Sequence, residues 1–392
     1  MDGMHMFFTN EIELFGTTLD TYRSCFTKPQ WNHFTTYLTG LFLGEKGEKN
    51  IQDITENFLD AKDQSSLNRF ITNPHWDIRM LNAMRIRENL RERNGGILSL
   101  DDTLIEKTGK MMDGVGYLYD PSQKRKVLCH DIVSTFYRTN TGQLPLYFEP
   151  YVKKEVAETT GVWFRTKIQI AVDLLRRSLT HVSPLAVVFD EWYMCHELLE
   201  FFNSRELTWV SQAKSNRCIQ IDEAWMGLTQ YAKTVPHQMF KRINAELDEK
   251  RYKWFYEISV MMKNVGWVKL VVLKRRKNSK KHTFLVSNNM DLSGLKILEY
   301  YKKRWAIEVF HRDCKQHLGL GEYQVRKLDA VVIHLHLVFF AYTLLKNARS
   351  NPVFKTLLNG MKSVGSACKH LKRWMLDRLR GRKRFLLPSG AT

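Results

Sequence analysis

The chain has 392 residues, 44% of them hydrophobic and 26% charged, which is enough apolar material for two or three packed domains and too much for a disordered chain. Lys and Arg number 60 against 41 Asp and Glu, a formal net charge of +19 with a sequence pI near 9.6; that excess favours a polyanionic partner, nucleic acid ahead of an anionic membrane surface. The 6 cysteines include no Cys-x-x-Cys pair, which argues against a zinc knuckle, fits reduced intracellular thiols and leaves oxygen ligands for any metal.

Met1–Asn10 carries Asp2, and Glu11 follows it, so the basic, apolar, small-residue order of a signal peptide is missing and a cytoplasmic protein is expected. From about Leu14 to Asn94 apolar residues recur three and four apart with few β-branched runs, the pattern of helices. Ile51–Phe58 and Ser65–Ile71 flank a polar turn through Asp60–Gln64 and make a candidate helix-turn-helix. The turn is longer than the usual three or four residues, and many helical hairpins never touch DNA. Asn73-Pro74 ends the second helix.

Gly95-Gly96 breaks the helical pattern and opens a strand, Ile97–Leu100, that runs into Asp101-Asp102-Thr103. Val127–Tyr137 and Leu144–Val152 read as two further strands, and the three together as an antiparallel meander. A helix follows over 162–179, and then the wholly apolar Leu185–Phe189, a buried, parallel strand ending in Asp190. Glu191–Asn203 reads as a helix and Leu207–Ala213 as a fifth strand. Three strands, helix, strand, helix, strand is the α/β plan of an RNase H-like core.

That core is interrupted before its last helices by a β-rich insertion over 216–293, with strands at Tyr252–Met261, Gly266–Leu273 and Thr283–Ser287 and a basic loop at Lys274–Lys281. The apolar run Val331–Leu345 is broken by His334 and His336 and falls short of the roughly 20 residues a bilayer span needs, so it is expected to be a buried helix. The expected organisation is a helical, DNA-binding 1–95, a core in two parts at 96–215 and 294–347 around the insertion, and a basic helical C-terminal segment at 348–392 containing Trp374.

The most informative stretch is Tyr301–Lys315. On one helix at about 100° per residue, Tyr301, Arg304, Glu308 and Lys315 fall within an arc of about 60°, opposite Ile307, Phe310 and Cys314. A strand-end aspartate is most often a turn former, and Glu308 alone reads as half of an ion pair with Arg304. Together, Asp101 or Asp102, Asp190 and Glu308 read as a hard oxygen site suited to Mg²⁺, with Mn²⁺ as substitute. Two such ions about 3.5 to 4 Å apart support phosphodiester cleavage, and Arg304 and Lys315 are placed to clamp phosphates, with Tyr301 donating to a phosphate oxygen.

Tyr301-x2-Arg304-x3-Glu308-x6-Lys315 resembles, without a gap, the YREK signature of bacterial insertion-sequence transposases of the "insertion sequence four" type, a branch of the DDE transposases. Asp101-Asp102-Thr103 and Phe189–Tyr193 resemble that family's other two motifs in the right order, and the resemblance covers roughly 96–347. It implies a transposase that binds the inverted repeats of its element, cuts at the ends and joins them to target DNA, as a dimer on DNA, in the bacterial cytoplasm and nucleoid. It also implies metal ligands at Asp101, Asp190 and Glu308, because family members carry Asp-x-Thr at the first acid, and DNA contacts at Tyr301, Arg304 and Lys315. Bulky Trp192 departs from the small residue usual after Asp-x in the second motif. The basic loop, led by Lys274, Arg275, Arg276 and Lys277, is a further candidate DNA contact, and Trp254, Trp267 and Phe284 are candidates for stacking on a flipped base.

Overall fold

A computed structural model describes residues 16–58, 63–247, 249–347 and 363–386, together with 358, 360 and 361. Helices α1 (Lys28–Leu43), α2 (Ile51–Glu56), α3 (Gln64–Thr72) and α4 (Ile78–Asn89) form the N-terminal region. Asn50 caps α2 by accepting from the Asp53 amide, and Asp63 caps α3 by accepting from Ser66. The turn expected over 60–64 lies mostly outside the described residues. These helices have no core of their own. Phe34, Leu41, Phe70 and Leu81 sit in one apolar cluster with Ile307, Phe310, Phe340 and Leu371, which belong to α10 (Trp305–His317), α11 (Leu328–Asn347) and α12 (Val364–Leu386).

The sheet has twelve strands: β1 (Ile97–Glu106), β2 (Gly116–Asp120), β3 (Arg125–Arg138), β4 (Gln143–Tyr151), β5 (Ala186–Phe189), β6 (Trp209–Gln212), β7 (Cys218–Ile221), β8 (Ala224–Gly227), β9 (Lys241–Leu247), β10 (Lys250–Met262), β11 (Gly266–Lys274) and β12 (His282–Ser287). Their spatial order is β2-β3-β1-β5-β6-β12-β11-β10-β7-β8, with β4 also on β3 and β9 also on β10. The expected meander is β1, β3 and β4, with β2 a short strand in its first turn. β5 and β6 pair in parallel, joined through α7 (His196–Asn203). The inserted strands form no separate layer: β12 lies antiparallel beside β6, so the insertion, with α8 (Leu228–Thr234), extends the core sheet.

Strand alternation gives β1 two faces. Ile97 packs with α9 (Gly294–Lys302) and Ile105 with α10 and α11, whereas Leu98 and Leu100 pack with α6 (Lys167–Leu179) and α7. α5 (Lys154–Thr160) precedes α6, whose start is fixed by a capping box between Thr166 and Gln169. The helix expected from 162 therefore begins at 167. α11 is 20 residues long and apolar, and it is mostly buried inside the molecule, packed against α1, α3, α4, α10, α12 and β4.

One expectation is overturned. Tyr301 to Lys315 is not a single straight helix but two, α9 and α10, with a tight passage at Lys303–Arg304. There the amides of Lys303, Arg304, Ala306 and Ile307 bond to carbonyls three residues back, which overwinds the chain and spoils the phase count from Tyr301. Tyr301 is buried among Val210, Leu285, Ile297 and Leu298, with its ring centroid 5.3 Å from the Arg304 guanidinium.

Candidate active site

Past their pairing with each other, β1 and β5 carry the first two acids. Their parallel register ends at Ser99 beside Val188, and two more residues on each chain bring Asp101 level with Asp190. Asp101 shares the parity of Ile97 and Ser99, so it lies on the α9–α10 face; Asp102 takes the α6 face. Asp101 pairs with Ser134 of β3 across the antiparallel ladder. Asp190 follows the end of β5, where its Oδ1 accepts from the amides of Trp192 (2.8 Å) and Tyr193 (3.3 Å). The bulky Trp192 therefore fits the turn, since only its backbone is used to hold the acid.

Glu308 comes from α10, which packs over β1 and β3. Arg304, whose side chain is only 9% exposed, joins the acids: its Nη1 lies 3.5 Å from Asp101 Oδ2 and its Nη2 pairs with Glu308 Oε1. The four-residue spacing of Arg304 and Glu308 survives the kink because it falls at the start of α10. Burial pushes the Asp101 carboxyl well above its ordinary range; Arg304 opposes this, and Asp102, Asp190 and Glu308 add to it by repulsion. Burial likewise raises Asp190, against the stabilising Trp192 amide. Arg304 thus links Asp101 and Glu308, and Asp190 lies near enough to Asp101 to repel it.

The donor set is all oxygen and fits a hard divalent ion. Among the described residues no three His, Cys, Asp or Glu side chains stand ready as a metal cluster, in keeping with a guanidinium lying between Asp101 and Glu308.

A sequence model of the transposase DDE domain matches residues 97–344, from the first residue of β1 into α11. The chain belongs to the transposase DDE domain family. The match spans more than half of the 392 residues and takes in all three acids. No curated protein sequence is significantly similar. Among solved structures, the chain resembles that of the cryo-EM piggyBac transposase synaptic complex with hairpin DNA, at 13% identity and a TM-score of 0.50, over 94% of this chain and 75% of that one. At that identity the likeness carries the fold alone, a large mixed sheet flanked by helices.

In this DDE transposase the other candidate residues separate. Lys315 lies on the acid-facing side of α10, where burial lowers its pKa and Asp120, Asp131 and Asp101 pull it back up. Lys274 is not on the loop tip. It ends β11 in register with Trp254 and His282, and its ammonium sits 3.7 Å from the centroid of the Phe240 ring. Arg275, Arg276 and Lys277 are exposed. Phe284 is 1% exposed and a core residue, and Trp254 is half-buried against His237. Trp267 is 61% exposed and alone of the three offers a free ring.

Several site residues escaped the sequence reading. His311 of α10 is buried and its Nε2 lies 2.8 Å from Ser134 Oγ, directly across from Asp101. Burial holds this imidazole down to about 3, so it is neutral at pH 7. Asp131, Lys167 and Tyr193 gather on the opposite face around Asp102. The one signal in the sequence was Asp131 itself, the single acid of β3.

Proposed function

We propose that the chain is an insertion-sequence transposase of the YREK type that binds the inverted repeats of its element and performs metal-dependent cleavage and strand transfer. The carrying observation is the convergence of Asp101 and Asp190, level on neighbouring strands, with Glu308 on the helix above them. The YREK spacing and the family match support it. So does the fold likeness to a transposase held with DNA. We read β1, β3, β4, β5 and β6 as an RNase H-like core and expect a dimer on DNA, acting on nucleoid DNA in the cytoplasm.

In this reading Asp101, Asp190 and Glu308 hold Mg²⁺ or Mn²⁺. Bound there, two such ions would supply activation of a water or 3′-hydroxyl and charge stabilisation for the leaving oxygen. The chain's own residues do the rest. Arg304 offsets the mutual repulsion of the acids in the metal-free protein and keeps Asp101 and Glu308 aimed at one point. His311 holds Ser134, and with it the β3 backbone opposite Asp101. Lys315, on the same side of α10, supplies positive charge for the phosphate backbone.

Outside the site, Arg275, Arg276 and Lys277 at the β11–β12 turn are DNA backbone contacts. Binding of the protein to DNA carrying the sequences that flank its reading frame tests this. Each phosphate contact contributes about 0.9 to the slope of log K against log salt, so the triple alanine variant is expected to flatten that slope by roughly 2 to 3. Lys274→Ala, under the Phe240 ring, is expected to leave the slope alone. An unchanged slope in the triple variant would remove the turn from the DNA interface.

A further inference from the structure

Behind the acids, on the α6 face of β1, lies a second polar cluster that the proposed chemistry does not use. Lys167, the first residue of α6, sits between two carboxylates: its Nζ is 2.9 Å from Asp102 Oδ2 and pairs with Asp131 Oδ2. The Asp131 side chain is fully buried. The Tyr193 hydroxyl donates to Asp102 Oδ1 at 2.8 Å. The rings of Trp192 and Tyr151 lie 5.2 and 5.6 Å from the ammonium, in cation–π range.

The position of this cluster matters because of where the sheet ladder stops. The last β1–β5 pair is Ser99 with Val188, so both Asp101 and Asp190 lie beyond it and no backbone pairing between the two strands sets their separation. Side chains bridge the gap instead. Asp102 donates its amide to Asp101 Oδ1 at 3.0 Å, Tyr193 donates its amide to Asp190 Oδ1, and the side chains of Asp102 and Tyr193 bond to each other. A continuous path therefore runs Asp101, Asp102, Tyr193, Asp190, with Lys167 balancing the charge of Asp102 and Asp131. Two buried carboxylates without a cation would repel and desolvate at a cost that the fold would relieve by moving β1.

We infer that Tyr193, Asp102 and Lys167 form a positioning unit that sets the distance between Asp101 and Asp190 and so the affinity of the site for its metal ions. The inference rests on the reading of Asp101 and Asp190 as metal ligands. Residues that hold metal ligands from behind typically change affinity by 10–100-fold when lost.

Tyr193→Phe removes one hydroxyl and keeps a ring that is fully buried, so the fold is retained. Mn²⁺ titrated into the full-length protein without DNA, followed by calorimetry, is expected to bind about tenfold or more weakly to this variant than to wild type. Lys167→Met is expected to lose affinity, with Lys167→Arg restoring part of it, and a thermal melt reports whether each is folded. Asp190→Asn distinguishes loss of a metal ligand from loss of its positioning. If Asp190→Asn abolishes Mn²⁺ binding while Tyr193→Phe binds like wild type, the positioning unit is refuted and the ligand reading stands. If wild type and Asp190→Asn bind Mn²⁺ alike, both fall.

Discussion

Glu308→Gln and Asp190→Asn are each expected to lower DNA cleavage by on the order of a thousandfold or more while leaving DNA binding within a few-fold of wild type. Removing one ligand from a divalent site forfeits several kcal/mol of transition-state charge stabilisation, and each 1.36 kcal/mol is a factor of about ten in rate. Binding is spared because these substitutions remove no positive charge from the groups that meet the phosphate backbone. Asp101→Asn belongs with this pair. Asp102→Asn does not: it faces α6 and Lys167, so its loss acts through position and is expected to cost about 10–100-fold. Cleavage rates of the four variants on one labelled substrate check the ordering. Equal rates for Asp101→Asn and Asp102→Asn, or substantial cleavage by Glu308→Gln, would overturn the assignment.

The second large effect is on stability. Arg85 of α4 is 1% exposed, and among the described residues its guanidinium has no carboxylate hydrogen-bond partner. Nη1 donates to the Pro145 carbonyl (2.7 Å) and Thr343 Oγ1 (2.9 Å). Nη2 donates to the Leu146 carbonyl (3.0 Å) and Asn82 Oδ1 (2.8 Å), which Nε also reaches. One side chain thus ties α4 to β4 and α11, and burial pulls its pKa down to about 10. Arg85→Ala leaves two β4 carbonyls and the Asn82 amide oxygen without this donor and opens a cavity. The expected destabilisation is about 3 to 5 kcal/mol. Arg85→Met keeps most of the volume and is expected to recover only a minor part. Denaturant midpoints measure both, and a wild-type midpoint for Arg85→Ala would show that the clamp contributes nothing.

The site was half legible in the sequence for a definite reason. Glu308 and Lys315 share α10 and Arg304 caps its start, and helical spacing is a sound guide within one helix. Tyr301 lies across the Lys303–Arg304 passage, where no Pro or Gly announces the change, so a helical phase count does not carry over to it, although its ring stays 5.3 Å from the Arg304 guanidinium. Asp101 and Asp102 are adjacent in sequence and opposite in space, a distinction set by which neighbour of β1 each face meets. β1 also runs on to Glu106 because β3 stays paired with it, where the sequence suggested a strand ending at the acids. The long inserted strands were readable from their β-branched and aromatic runs. β9, Lys241–Leu247, was not, since its lysine, arginine and glutamate are the charges of an edge strand and hide its alternation. Lys167 gave no signal at all: its role exists only because α6 starts beside β1 and β3.

Purified protein is incubated with linear DNA carrying the sequences that flank its reading frame, in Mg²⁺ and in EDTA, with a target plasmid present, and the products are resolved by sequencing. The expected result is cleavage at the inverted repeats and joining of the freed 3′ ends to the plasmid, both abolished by EDTA. Binding without cleavage in Mg²⁺ and in Mn²⁺ would contradict it, and cleavage without joining would reduce the protein to a nuclease.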